Sequence, residues 1–352
     1  MNIKLEGGMK ILMGDPHAPH GYCGWPTVAR LRNGNIVVGA SCNRVEHVCP
    51  FGKATVIFSE DNGETYSDPV AVIDTVLDDR DVGLTAFGES GLIVTSFNNE
   101  NEFQRENMPQ TQECFDCVNA VTPEAEAEVL GPTMRVSFDN GKTFSKLYRP
   151  PVSSPHGPTV LSDGTILWVG RVLGSHNQIE AHKINPENGE SEFVGSIDVA
   201  PFDYLDFYEP HAVQLPGGRI VCQMRVQNSD ESIFTMYQSV SDDLGKTWSR
   251  VKQVISDTSG APPHLFVHSS GVLITAFSRR TMPCGIRLVM STDGGETWSE
   301  EFSLYENHET DDLGYPATTE LPDGTLLTVF YARDNEEVHA LIRQQKWRIE
   351  NL

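Results

Sequence analysis

Four stretches of the chain carry one pattern: SEDNGETYSD from Ser59, SFDNGKTFSK from Ser137, SDDLGKTWSR from Ser241 and STDGGETWSE from Ser291. Asp and Gly form turns and the Thr-aromatic pair opens a strand, so each copy reads as a strand-turn-strand corner. Alternating apolar residues before the serines, as in ATVIFS and IRLVMS, supply the incoming strand. The serines lie 78, 104 and 50 residues apart. A unit of about 50 residues explains the last gap directly, and the middle gap as two units with one decayed copy.

A second repeat interleaves with the first. Hairpin turns fall at Asn33-Gly34, Ser90-Gly91, Asp163-Gly164, Gly217-Gly218, Ser270-Gly271 and Asp323-Gly324, most of them followed by a corner. Six hairpins with their corners predict six four-stranded antiparallel units. All-β units of this size suit a propeller, where radial packing shields the strand edges. The expectation is a single six-bladed β-propeller over residues 1–352, closed by the N-terminal strand pairing into the last blade. The polar stretch 98–122 reads as an inserted loop over one face, and only TPEAEAEVL at 122–130 has a helical pattern.

The formal charge of −23 argues against nucleic acid and anionic membrane as partners, yet a few arginines can reverse the field inside one cleft. The N-terminal segment MNIKLEGGMKILMGDP has no apolar core of signal-peptide length, so a cytoplasmic location is expected. The seven cysteines, an odd number, fit reduced thiols better than a disulfide framework. Cys42, His47 and Cys49, and the pair Cys114 and Cys117, lack further ligands at zinc spacing and read as plain thiols. No metal or cofactor is expected.

Residues equidistant from a hairpin turn are cross-strand neighbours, and those far from it share the open end. Counting outward pairs Glu209 with Arg225, Tyr315 with Tyr331, Trp25 with Ser41, and Pro155-His156 with Arg171. Asp79, Arg80 and Asp81 of LDDRD fall at the same level, as do His264, Ser278, Arg279 and Arg280. Blades point equivalent ends at the central axis, so these residues are expected to converge on one mouth. Tyr315, in GYPATTELPDG, and Glu209, in YEPHAVQLPGG, then occupy one slot in two blades.

The repeated corner resembles the aspartate box of the sialidase (neuraminidase) superfamily, six-bladed propellers that cleave terminal sialic acids. The resemblance covers nearly the whole chain and implies that the box aspartates are turn formers away from the catalytic face. It implies a tyrosine nucleophile at Tyr315, a partner carboxylate at Glu209, and a substrate-clamping arginine at Arg225, with Arg280 (or Arg279 or Arg287) as another. Two positions depart from the family. Gly24 of CGWP stands where the first clamp arginine belongs, and Lys53 stands at the place of the acid/base aspartate. Arg80 is the candidate replacement for the missing charge, and Asp79 or Asp81 for the missing acid. His156, His211 and His264 offer further proton donors, and together with Arg171 and Lys53 join the expected substrate-binding set. DDRD, HGP, EPH and GYPA together are similar to those of sialidase-like bacterial propellers whose substrates need not be sialic acids.

The function expected is a retaining exo-glycosidase acting on a terminal, anionic sugar of a carbohydrate substrate. The alternatives are a propeller that binds sugar without turnover, or a lyase or epimerase using a histidine with Tyr315. An acid facing Tyr315 across the mouth separates the first from the second.

Overall fold

The computed structural model describes residues 1–230, 232–255, 262–307, 309–334 and 336–351. Six antiparallel sheets form the blades of a propeller. The first contains Tyr22–Arg30, Ile36–Arg44, Lys53–Ser59 and Val70–Ile73, paired in chain order. Three further sheets repeat this four-stranded plan, with first strands Thr159–Val160, Asp206–Gln214 and His264–Val267. The sixth sheet takes Leu313–Glu320, Leu326–Ala332 and Leu341–Glu350 from the end of the chain and its outer strand, Asn2–Met13, from the beginning. Pairing from Asn2–Glu350 to Met13–Ile342 therefore closes the ring.

The second sheet has three strands, Arg80–Phe87, Gly91–Phe97 and Pro132–Ser137. Its fourth is reduced to one bridge between Met134 and Tyr148. Pro150 and Pro151 follow, and residues without an N–H cannot extend a ladder there.

Second strands such as IVVGA are apolar on successive residues because both faces are packed. Ile36 and Val38 face Ala317, Leu327 and Val329 of the last blade, whereas Val37 meets Val82, Leu84 and Val94 of the second. The core is thus divided among the gaps between blades.

All four repeated corners have the same internal bonding. In the third, Ser241 Oγ donates to Asp243 Oδ1 at 2.9 Å and accepts from the Gly245 amide at 2.9 Å. Thr247 donates its amide to Asp243 Oδ1 at 2.9 Å and its hydroxyl to Oδ2 at 2.6 Å. Those Thr247 bonds hold the Asp243 carboxyl down to about 2, and Thr143 does the same for Asp139. Ser59, Ser137, Ser241 and Ser291 pair with Ile36, Leu92, Ile220 and Leu273, next to the hairpin turns. Corners and turns therefore share one face, leaving the opposite face for the open ends.

The insertion is helical rather than a loop. Asn101–Asn107, Gln112–Ala120 and Pro123–Val129 are short helices, the last two capped by the side chains of Thr111 and Thr122. They bury Met108, Cys114 and Val118 against Val45 and Phe51 of the first blade. Because Gly91–Phe97 runs away from its hairpin turn, this insertion stands on the open-end face. No helix among the described residues is long and apolar enough to cross a membrane.

Trp347 joins the closing strand to the rest. Fully buried, it donates Nε1–H to Thr328 Oγ1 at 2.9 Å and lies opposite Leu5 of the N-terminal strand. Trp347→Ala is expected to cost roughly 3–5 kcal/mol, measured as a lower urea midpoint, with Trp347→Phe losing less.

Candidate active site

Four first strands are interrupted at the same depth. Between Gly24 and Thr27, Arg80 and Gly83, Tyr208 and His211, and Gly314 and Ala317, the strand carries one residue more than its partner. These are β-bulges. Trp25, Asp81, Glu209 and Tyr315 sit in them with φ of 53°, 46°, 50° and 53°. Three are followed by proline, whose missing N–H costs nothing in a broken ladder. The bulge also corrects the expected pairing by one residue: Gly314, not Tyr315, lies opposite Tyr331, Tyr208 opposite Arg225, and Gly24 opposite Ser41. Further round the ring, Ser153, not His156, bridges to Arg171.

Re-aimed in this way, the bulge residues meet. Tyr315 Oη donates a hydrogen bond to Glu209 Oε1. The other oxygen, Oε2, accepts from Arg225 Nη1 at 3.1 Å. Gln227 Oε1 fixes the same guanidinium, 3.0 Å from Nε and 2.8 Å from Nη2. Burial, then the charges of Glu209 and Asp81, raise the Tyr315 phenol well above its ordinary range, against the pull of Arg225 and Arg280. At rest the phenol is protonated and aimed at a carboxylate.

Asp81 is the candidate acid close enough to this pair for its charge to act on both the Tyr315 phenol and the Glu209 carboxylate. It is 6% exposed. Burial, with repulsion from Glu209, pushes it up to about 7 despite Arg80 nearby. Asp79, the other candidate acid, points into its blade. Its carboxylate accepts from the Thr75 amide at 2.6 Å and the Thr75 hydroxyl at 3.0 Å.

Arg280 donates to Tyr331 Oη at 3.2 Å and to the Leu313 carbonyl at 3.3 Å. A glycine precedes Tyr315 for a steric reason: at φ +149°, a Cβ on Gly314 would stand 2.9 Å from Ser278 Oγ and 3.4 Å from Arg280. Arg279 and Arg287 face elsewhere, toward Glu301 and Glu306. The Arg80 guanidinium lies 4.1 Å over the Trp25 ring and bonds the His47 carbonyl at 2.9 Å. Arg80 thus brings a positive charge beside the bulge where Gly24 offers none.

Other expected residues are occupied differently. Lys53 pairs with Asp74 at 2.8 Å on the outer rim, half-exposed, and is not in the mouth. Arg171 stacks 4.2 Å over Tyr208, beside the mouth. The histidines lie within the axis, in contact with one another: His211 and His264 stack at 4.7 Å, and His156 lies 5.3 Å and 4.8 Å from them. His211 Nδ1 accepts from the Leu265 amide at 2.9 Å and His264 Nδ1 from the Thr318 amide at 3.3 Å, so each fastens its blade to the next. The rings that meet Tyr315 are instead Trp25 and Tyr331.

Residues 115–328, more than half the chain, match the family described as a BNR repeat-like domain. The chain belongs to that family. As a BNR repeat-like protein it also has close likenesses among solved structures. A protein of unknown function from Dyadobacter fermentans superposes with a TM-score of 0.79 at 17% identity, over 99% of this chain and 100% of that one. The NanB sialidase of Streptococcus pneumoniae gives 0.72 at 14%, covering 99% and 72%. An α-L-arabinofuranosidase of Fusarium graminearum gives 0.64 at 10%, covering 99% of each chain. At such identities these likenesses show the propeller fold. No curated protein sequence matches the chain.

Sequence reasoning missed the support beneath this BNR repeat-like mouth. Arg44, fully buried, bonds Asp78 Oδ2 at 2.9 Å and stacks 4.6 Å from Trp25, on whose ring Arg80 also rests. Tyr22 Oη donates to Asp312 at 3.0 Å and lies 3.1 Å from His47 Nδ1. Asp78 was visible in LDDRD, but nothing local marks Arg44 as its partner.

Burial pushes the His211 imidazole down to about 3. Its ring is expected to stay neutral, protonated on Nε2, from neutral pH to well below the ordinary value of about 6.5 in nitrogen NMR spectra. Titration at the ordinary value would contradict the burial described.

Proposed function

We propose that this protein is a retaining exo-glycosidase acting on a terminal anionic sugar. The observation that carries the proposal is the hydrogen bond from the Tyr315 phenol to the Glu209 carboxylate. A phenol with an ordinary pKa of about 10 is a weak nucleophile until a base removes its proton during attack. Glu209 is placed to take that proton, and Arg225 holds the carboxylate in register. A neutral phenol also approaches an anomeric carbon bearing a carboxylate without the repulsion a carboxylate nucleophile would meet; tyrosine is the known exception to the two-carboxylate scheme.

Attack forms a bond from Tyr315 Oη to the anomeric carbon as the bond to the leaving oxygen breaks. Asp81, protonated at neutral pH in part because it is buried, gives its proton to that oxygen. Its carboxylate then takes a proton from the water that cleaves the glycosyl-tyrosine, while Glu209 returns its proton to the departing phenolate, restoring the starting state and the anomeric configuration. Arg80 and Arg280 use only part of their donors on the protein among the described residues. With Arg225 they favour a sugar carboxylate, which guanidinium groups bind in pairs of hydrogen bonds. Sialidases and an arabinofuranosidase among the superposable structures support a glycosidase.

A panel of aryl glycosides, including sialosides, uronides and arabinofuranosides, tests this directly. Tyr315→Phe is expected to abolish turnover of any substrate found, and a fluorinated glycosyl fluoride of that sugar to label Tyr315. Full activity in Tyr315→Phe would end the proposal, as would binding of a sugar by the parent with no turnover at any pH.

Asp81→Asn is expected to lose about 10²–10⁴ in kcat/KM on substrates with alkyl or sugar leaving groups. With a nitrophenyl leaving group, which needs no proton, the loss is expected to be much smaller. The acid form does the work, so the parent's activity on unactivated substrates should fall as pH rises through about 7. That limb should be absent from the pH profile of Asp81→Asn.

A further inference from the structure

Beside the mouth is a cavity of about 580 Å³ that this chemistry does not use. Glu100, Phe103 and Leu130 of the helical insertion form one wall, and Arg171 and Leu173 of the third blade form the other. Gly131 and Gly174 complete it, both at positive φ, with nothing within 4 Å of where a Cβ would stand. The space is therefore open where any other residue would project into it.

Two connections tie this cavity to the site. Arg171 stacks on Tyr208, which immediately precedes Glu209 and lies opposite Arg225. Arg171 Nη2 donates to the Ser175 carbonyl at 3.0 Å, which holds the guanidinium at the cavity wall. Gln104, next to Phe103 on the insertion, donates to Asp78 at 3.2 Å, on the segment leading to Asp81. Pro132 of the cavity lies opposite Phe97, which in turn lies opposite Arg80, so the cavity adjoins the blade that carries the proposed acid. An acid must stand beside the bond to the leaving group, so whatever leaves Asp81 departs toward this side.

The lining suits a sugar. Phe103 is 40% exposed, offering a flat apolar face to the C–H side of a pyranose, while Leu130 and Leu173 extend that surface. Arg171 and Glu100 supply a donor and an acceptor for hydroxyl groups. We infer that the cavity is a subsite for the sugar on the leaving-group side of the scissile bond. The natural substrate is then an oligosaccharide or glycoconjugate with at least two sugars, not a simple glycoside. This rests on the glycosidase reading.

The test compares one terminal sugar carried either on nitrophenol or on lactose. Phe103→Ala and the cavity-filling Leu173→Trp are expected to lower kcat/KM for the lactose conjugate at least about tenfold, the scale of one lost binding contact, and to leave the nitrophenyl substrate within about twofold. Equal loss on both substrates, or no loss on either, overturns the subsite. If the parent turns over neither substrate, the glycosidase reading fails, and the subsite is judged by binding. A glycan array with sialylated, uronate-terminated and arabinofuranosyl oligosaccharides is then probed with the parent protein and with Leu173→Trp. Selective loss of oligosaccharide binding in Leu173→Trp, with methyl glycosides of the same terminal sugars unaffected, upholds the subsite. Unchanged binding, or no bound glycan at all, overturns it.

Discussion

In four of the six blades the inner strand gains one residue at the same depth, and that residue stands in the left-handed region of backbone space. For a residue with a Cβ this conformation costs about 1–2 kcal/mol, and of the four only Asp is enriched in it. Each is held there by its tertiary contacts. Without the bulge, strict alternation along the strand would set the side chain's direction by register alone. With it, the phenol of one blade meets the carboxylate of another two blades away.

The two faces of the propeller carry different duties. On one, box carboxylates are spent on hydroxyls and amides of their own corner, and their acidity follows from those bonds. On the other, Glu209 is bonded by Tyr315 and Arg225 and Asp79 by Thr75, while burial raises the Asp81 carboxyl to about 7. Between them the axial histidines bond backbone amides across blade boundaries, joining neighbours that share no strand pairing. The same residue type, aspartate, is held at low pKa in the corners and at raised pKa near the axis because of what surrounds it.

Much of this was legible before any coordinates. The repeated corners and their interleaved hairpins carried the blade number, and the equal placement of Glu209 and Tyr315 before their turns carried their common slot. The cross-strand pairing was off by one because counting from a turn assumes an unbroken ladder, and the bulge breaks it. Within the insertion, two helices inside the expected loop 98–122 went unread although Thr111 was available as a cap, whereas Pro123–Val129, capped by Thr122, lies where the helical pattern was read. Its helices are short, and their stability comes from packing on Val45 and Phe51, which no local pattern encodes. Of the adjacent aspartates in LDDRD, one turned inward to Thr75 and another outward to the mouth, a choice made by the bulge between strands and invisible in composition.

The blade that presents Tyr315 takes its outermost strand from residues 2–13, the first part of the chain, while Glu209 belongs to a blade made from the middle. The blade that holds Tyr315 is therefore completed only when residues 2–13 pair with residues 342–350. A break in this outermost pairing would loosen, from its edge inward, the sheet on which the Tyr315 bulge is built.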